Sequence, residues 1–274
     1  MFYRMILKPY LKAAGLAAAL TLGASASHAE PKPYTPLDAT ITQPQADAEL
    51  SALQAALKAA VDKQDTKIID AAVLPGFLGL TCSSDPRAAC MKGARGVTLA
   101  APASPPLARL RAATCCSDIP VAEQTPKLKN ELMLGILGAL LAEETSSIHP
   151  DQPGLVCQPA LPGFDRAKAA QIAKAADVEP QNLRVASTEL TLRAKPDKTS
   201  AEVLKIPAGR IVPLVTLGQE GLAAGWNAIA LPTGGLGFSD QGGLSDLTPA
   251  ALCFAKPKAG SWGLSLLIQR KEPE

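Results

Sequence analysis

From Leu183 onward the apolar residues stop recurring at helical spacing and begin to alternate. Leu190, Leu192 and Ala194 fall on one side of an extended chain, with Thr191, Arg193 and Lys195 on the other, as a half-buried strand requires. Val203, Leu204 and Ile206 run into Pro207-Ala208-Gly209, a turn signal. Residues 211–217 form a further apolar run in which Pro213 marks an edge or a bulge. Residues 226–231 are the next strand, residues 232–235 its turn, and Gly237-Phe238 opens a last short strand. Short strands punctuated by glycine and proline at this spacing predict a small, closed barrel over residues 183–247.

Upstream the pattern is helical. Leu50, Leu53, Leu57, Ala60 and Val61 predict a helix over residues 47–63, with Glu49, Lys58, Asp62 and Lys63 on its wet side. Residues 68–80 are apolar and mixed, and Pro75-Gly76 breaks any continuous helix there. Residues 101–106 are proline-rich and predict a loop. Thr125-Pro126 predicts a helix start, threonine as N-cap and proline at the first helical position. Leu128, Leu132, Ile136, Leu137, Leu140 and Leu141 form its apolar stripe, and Gly135 and Gly138 leave room for a close neighbour. An alanine-rich helix over residues 165–176 has Ile172 as its large anchor.

The N-terminus has the form of an export signal. Arg4, Lys8 and Lys12 precede an apolar run at residues 13–22, and Ser27-His28-Ala29 fits the small-residue cleavage rule, with Glu30 next. The run falls short of the roughly 20 apolar residues that span a bilayer. Cleavage removes three of the 27 basic residues and none of the 25 acidic ones. The resulting near-balance argues against nucleic acid, whose binders carry a basic face. Residues 30–46, with Pro31, Pro33, Pro36 and Pro44, predict a flexible, extended leader.

Six cysteines, Cys82, Cys90, Cys115, Cys116, Cys157 and Cys253, all follow the signal. An even count in an exported chain implies disulfides, each contributing about 2–4 kcal/mol. Cys82 and Cys90 flank the turn-like Ser83-Ser84-Asp85-Pro86 and are expected to close a local loop. Adjacent Cys115 and Cys116 are strained as a pair and are expected to reach Cys157 and Cys253, in either order.

The barrel region resembles the bacterial SH3-like (SH3b) domain. Leu190-Thr191-Leu192-Arg193-Ala194 is similar to its opening L-N-V-R-S run, and Pro196, Ser200, Val203-Leu204, Ile206 and Gly209 to its next turn and strand. Gly225-Trp226 is similar to its G-W before a strand, and Gly237-Phe238-Ser239 to its final G-W-V. A helical region, this barrel, then Leu252-Cys253-Phe254-Ala255-Lys256 and Gly260-Ser261-Trp262 resemble exported SH3-domain proteins of alphaproteobacteria, of unknown function. The resemblance implies a periplasmic or secreted location and this domain order. It departs in one respect: peptide-binding SH3 grooves are aromatic-lined, and only Trp226 and Phe238 are aromatic here, which weighs against proline-peptide recognition.

Catalytic groups are sparse. His149 is the one histidine after the signal, and its nearness in sequence to Cys157 has no mechanistic meaning by itself. No zinc-type histidine spacing and no phosphate loop is present, and Glu143 and Glu144 leave a helix on different sides. The readings converge on an α+β chain: signal peptide 1–29, leader 30–46, a mostly helical, disulfide-stapled domain 47–178, an SH3-like β-barrel 183–247, and a C-terminal β-hairpin 250–274 packed on the barrel or the first domain. The expected function is non-catalytic, a periplasmic binder of peptidoglycan or an envelope protein, with Arg193, Trp226 and Phe238 along the barrel rim. No cofactor, metal or nucleic acid is expected, nor stable membrane insertion after cleavage. Alternatives are a wall-active hydrolase with its site in residues 47–178, and a structural adaptor.

Overall fold

The computed structural model describes residues 30–83, 104–115, 119–217, 224–240, 242–258 and 260–271. The expected signal peptide lies outside these residues, as do Cys90, Cys116 and the Cys82 side chain, and with them the expected Cys82–Cys90 bridge. In chain order the first elements are strand β1 (Leu37–Asp38), helices α1 (Ala48–Asp62) and α2 (Thr66–Ala72), and strand β2 (Val73–Ser83). Helices α3 (Pro106–Thr114) and α4 (Pro126–Ala142), strands β3 (Ser147–His149) and β4 (Gln152–Gln158), and helix α5 (Arg166–Ala176) follow. The remaining strands are β5 (Leu183–Ala186), β6 (Leu190–Arg193), β7 (Glu202–Ile206), β8 (Arg210–Val215), β9 (Trp226–Ala230), β10 (Leu236–Asp240), β11 (Leu244–Asp246), β12 (Ala251–Ala255) and β13 (Gly263–Lys271). The architecture is mixed α and β, built on two sheets.

Capping explains where the helices begin. Asp47 accepts from the backbone N–H groups of Glu49 and Leu50 at 2.9 and 3.0 Å, Thr125 accepts from Leu128, and Asp165 from Ala167 and Lys168. These are the starts of α1, α4 and α5, close to where the sequence puts them. Leu50, Leu57 and Ala60 of α1 meet Met133, Leu137, Leu140 and Leu141 of α4 in one buried cluster. A Cβ on Gly138 would lie 3.3 Å from Val61 Cγ1, so this glycine lets the two helices approach; Gly135 faces open space.

Helices predominate in residues 47–178, but strands β2, β3 and β4 there belong to a five-stranded sheet of order β2-β13-β12-β4-β3. Pro75-Gly76 ends the helical pattern and is carried inside β2. Pro106, expected in a loop, instead opens α3. The C-terminal strands β12 and β13 sit at the centre of this sheet: β13 runs parallel to β2, and β12 antiparallel to β4. Cys253 on β12 stands opposite Cys157 on β4, with Cα atoms 4.0 Å apart, and the two form a disulfide. This corrects the expected partners of Cys115 and Cys116. Cys115 is disulfide-bonded, but neither Cys157 nor Cys253 can be its partner. Register across a ladder, not distance along the chain, decides the pairing.

The other sheet is eight-stranded, in the order β11-β5-β8-β9-β10-β6-β7, with β1 added beside β8. Ala186, Leu190, Leu192, Ile206, Val212 and Ile229 project from five strands into one interior cluster, so the sheet curls around a core. Its end strands β11 and β7 do not pair with each other, so the expected closed barrel is open in its hydrogen bonding. The outer face is covered by α5, whose Ala169, Ile172 and Ala173 pack on Leu183, Val185 and Ile211. The proline-rich segment 30–40 is extended and held on the same face. Lys32 donates to Ala175 O, Tyr34 N to Pro232 O, and Ala39 N to Gly209 O, all within 3.0 Å. The Tyr34 hydroxyl reaches Ala230 O at 2.9 Å, and burial raises its pKa well above the ordinary phenol value.

Candidate functional site

The residues singled out for binding come from three neighbouring strands. Phe238 of β10 stands opposite Arg193 of β6, and Asp240 of β10 opposite Trp226 of β9. Because strand side chains alternate, Arg193, Phe238 and Trp226 share the face opposite Leu192 and Ile229. Arg193 and Trp226 line a common groove of about 500 Å³, with Thr191, Lys198, Asp240 and the Gly242-Gly243 pair at its edges. Phe238 does not line it: its ring packs on the apolar cluster of Val215, Ala228 and Ala230 beneath the end of α5. The structure thus brings two of the three residues together and gives the third a packing role.

The groove is built by local chemistry. Arg193 Nη1 donates to Ser200 O at 2.8 Å, which ties the β6–β7 loop to the strand. In that loop the Asp197 carboxylate accepts from Thr199 N and Thr199 Oγ1 at 2.8 and 3.0 Å. Those bonds, the backbone one first, hold the Asp197 carboxyl below its ordinary pKa, assisted by the charges of Arg193 and Lys195. Lys198 rides on the same turn and reaches the groove exposed. On the opposite rim Gly243 adopts φ +67°, and a Cβ there would lie 2.5 Å from Thr188 Oγ1. Only glycine lets the chain pass this close. The site therefore offers two cations, the carboxylates of Asp240 and Glu189, hydroxyls and an indole. Glu189, at its edge, is engaged by Lys205 at 3.6 Å.

A larger cleft of about 600 Å³ lies between the two sheets and was not visible in the sequence. Ile41, Glu143, Pro159, Ser187, Gly209 and Pro249 are among its walls, drawn from separated segments that carry no shared motif. Ile41, a large apolar side chain in a proline-rich segment, stands 44% exposed on its wall.

Cys157, spent in its disulfide, offers no thiolate to His149. His149 instead accepts from Asp151 N through Nδ1 at 3.1 Å. Among the described residues no group of three or more His, Cys, Asp or Glu side chains is arranged to hold a metal ion. No helix among them is long and apolar enough to cross a membrane. Comparison of the chain with protein-family models, with curated proteins and with solved structures finds no match.

Proposed function

We propose that this chain is an exported, non-catalytic binding protein whose β unit, read as SH3-like, takes peptidoglycan or an envelope protein in the Arg193–Trp226 groove. The observation that carries the reading is the convergence of Trp226 with Arg193 and Lys198 on one solvent-open groove. An indole supplies a flat apolar platform with a polar edge, suited to a sugar ring or peptide stem. A guanidinium already oriented by Ser200 O loses little freedom on meeting a carboxylate or carbonyl. The Cys157–Cys253 disulfide supports an oxidising compartment, in line with the export signal read at residues 1–29.

Co-sedimentation of the purified protein with insoluble peptidoglycan tests the proposal. The wild type is expected in the pellet, without release of soluble wall fragments. Trp226→Ala is expected to weaken retention about tenfold or more while leaving the circular dichroism spectrum unchanged. Release of soluble fragments would make the protein a hydrolase and overturn the non-catalytic reading. Retention unaltered in Trp226→Ala and Arg193→Ala would remove this groove as the site.

A further inference from the structure

His149 is 4% exposed and lies where the two sheets meet. It belongs to β3, at the edge of the five-stranded sheet, and borders a small solvent-open pocket of about 40 Å³. Charged groups converge on this spot from three elements. Asp151 comes from the β3–β4 turn, Arg166 from the first turn of α5, and Arg270 from β13. Arg166 Nη2 pairs with Asp151 Oδ2 at 3.0 Å, and its guanidinium lies over the Phe164 ring, 5.7 Å from the centroid. Arg270 Nε donates to Pro249 O at 3.3 Å, in the segment that leads from β11 to β12. Arg270 also feels the charges of Arg166 and of Asp246 on β11, and Asp246 in turn pairs with Arg184 of β5 at 3.3 Å. A line of charge therefore runs from one sheet to the other through the surroundings of His149.

The ring's hydrogen bond adds a geometric constraint. Nδ1 accepts from Asp151 N, so the neutral ring carries its proton on Nε2. A second proton would have to sit on Nδ1, facing an N–H that already points there. Both nitrogens would then be donors, and the bond that closes the β3–β4 turn would be lost.

We infer that His149 is an acid-sensitive latch between the two sheets: protonation breaks its bond to Asp151 N, adds a third cation beside Arg166 and Arg270, and loosens the junction. Burial above all lowers the His149 pKa from its usual value; the Asp151 charge next pulls it up, and Arg166 and Arg270 push it down again. The unfolded chain thus takes up the proton at higher pH than the folded one. The stabilising contribution is complete above the unfolded value of about 6.5 and is lost as pH falls toward the folded value.

Hydrogen exchange of the disulfide-intact protein at about pH 7.5 and about pH 5, corrected for intrinsic exchange rates, tests the latch. In the wild type, protection of residues 147–166 and 244–249 is expected to fall severalfold at the lower pH, with α1 and α4 unaffected. His149→Asn keeps an acceptor near the Nδ1 position but cannot be charged, and is expected to abolish that difference. The same loss in wild type and variant would overturn the proposal, as would uniform loss across the chain. An NMR titration of the wild-type His149 ring keeps the test decisive if the variant folds poorly. A ring that titrates at or above 6.5 overturns the latch, and one that titrates lower, together with local deprotection in the wild type, upholds it.

Discussion

Gly243 shows how much of the groove depends on single residues. Its φ of +67° is disfavoured for any side chain, and a methyl group would lie 2.5 Å from Thr188 Oγ1 and 2.8 Å from Leu190 Cδ2. Gly243→Ala is expected to cost about 1–3 kcal/mol in urea denaturation and to lower affinity by displacing the rim. Trp262, far from the groove, has a different task. Its Nε1 donates to Asp47 Oδ2 at 2.9 Å and its backbone N to Glu49 Oε1 at 3.2 Å, while Lys256 Nζ meets Glu49 Oε2 at 2.6 Å. These bonds pin the β12–β13 connection to the start of α1. The Asp47 carboxyl is held below its ordinary pKa of 3.8, chiefly by Leu50 N–H and then by the indole. Its stabilising share is therefore present above 3.8 and is lost as pH falls through the lower, folded value. Trp262→Phe keeps the ring but not the donor, so its deficit in urea midpoint should be largest near neutral pH and shrink in acid. The helix start near Asp47 was readable from the sequence; the indole partner of Asp47, more than two hundred residues away, was not.

Among the elements, those with both a cap and a helical period were legible. Thr125-Pro126 announced α4, and the alanine-rich run anchored by Ile172 announced α5, because a cap and a helix-favouring composition are local properties. Strand β2 was hidden, since Pro75-Gly76 reads as a break and its parallel partner β13 lies near the other end of the chain. Arg109 of α3 helps explain how the break is tolerated: it is buried and donates to Pro75 O, and to Leu74 O at 3.3 Å. Arg109→Met removes those donors and is expected to destabilise the protein by about 2–4 kcal/mol, read from the thermal midpoint. The Cys157–Cys253 disulfide staples β4 to β12 across a separation of 96 residues. Replacing both cysteines by alanine should cost about 4 kcal/mol, since a long loop in the unfolded chain is freed.

At the scale of the molecule the strands after Ala250 complete a sheet begun before Asp165. β12 and β13 separate β2 from the β3–β4 pair, so without them β2 has no ladder to join and β4 keeps only β3. Chain termination after Ala250 is therefore expected to abolish the cooperative unfolding transition of the α1–α4 region, seen as lost near-ultraviolet dichroism. A fragment of residues 183–247 lacks α5 and Tyr34, leaves Leu183, Val185 and Ile211 uncovered, and is expected to bind a hydrophobic dye or aggregate. The sequence by itself determined the Thr125-Pro126 start of α4, the helical periods upstream and the alternating strands after Leu183. Each follows from backbone preference and side-chain period over a few residues. Only the tertiary structure decided which cysteines meet, that the curled sheet stays open at β7 and β11, and that Phe238 packs beneath the end of α5 while Trp226 borders the groove. It also set His149 and its neighbour Asp151 beside Arg166 of α5 and Arg270 of β13. Those outcomes depend on ladder register and on which faces cover one another, and both are settled by contacts between residues far apart in the chain.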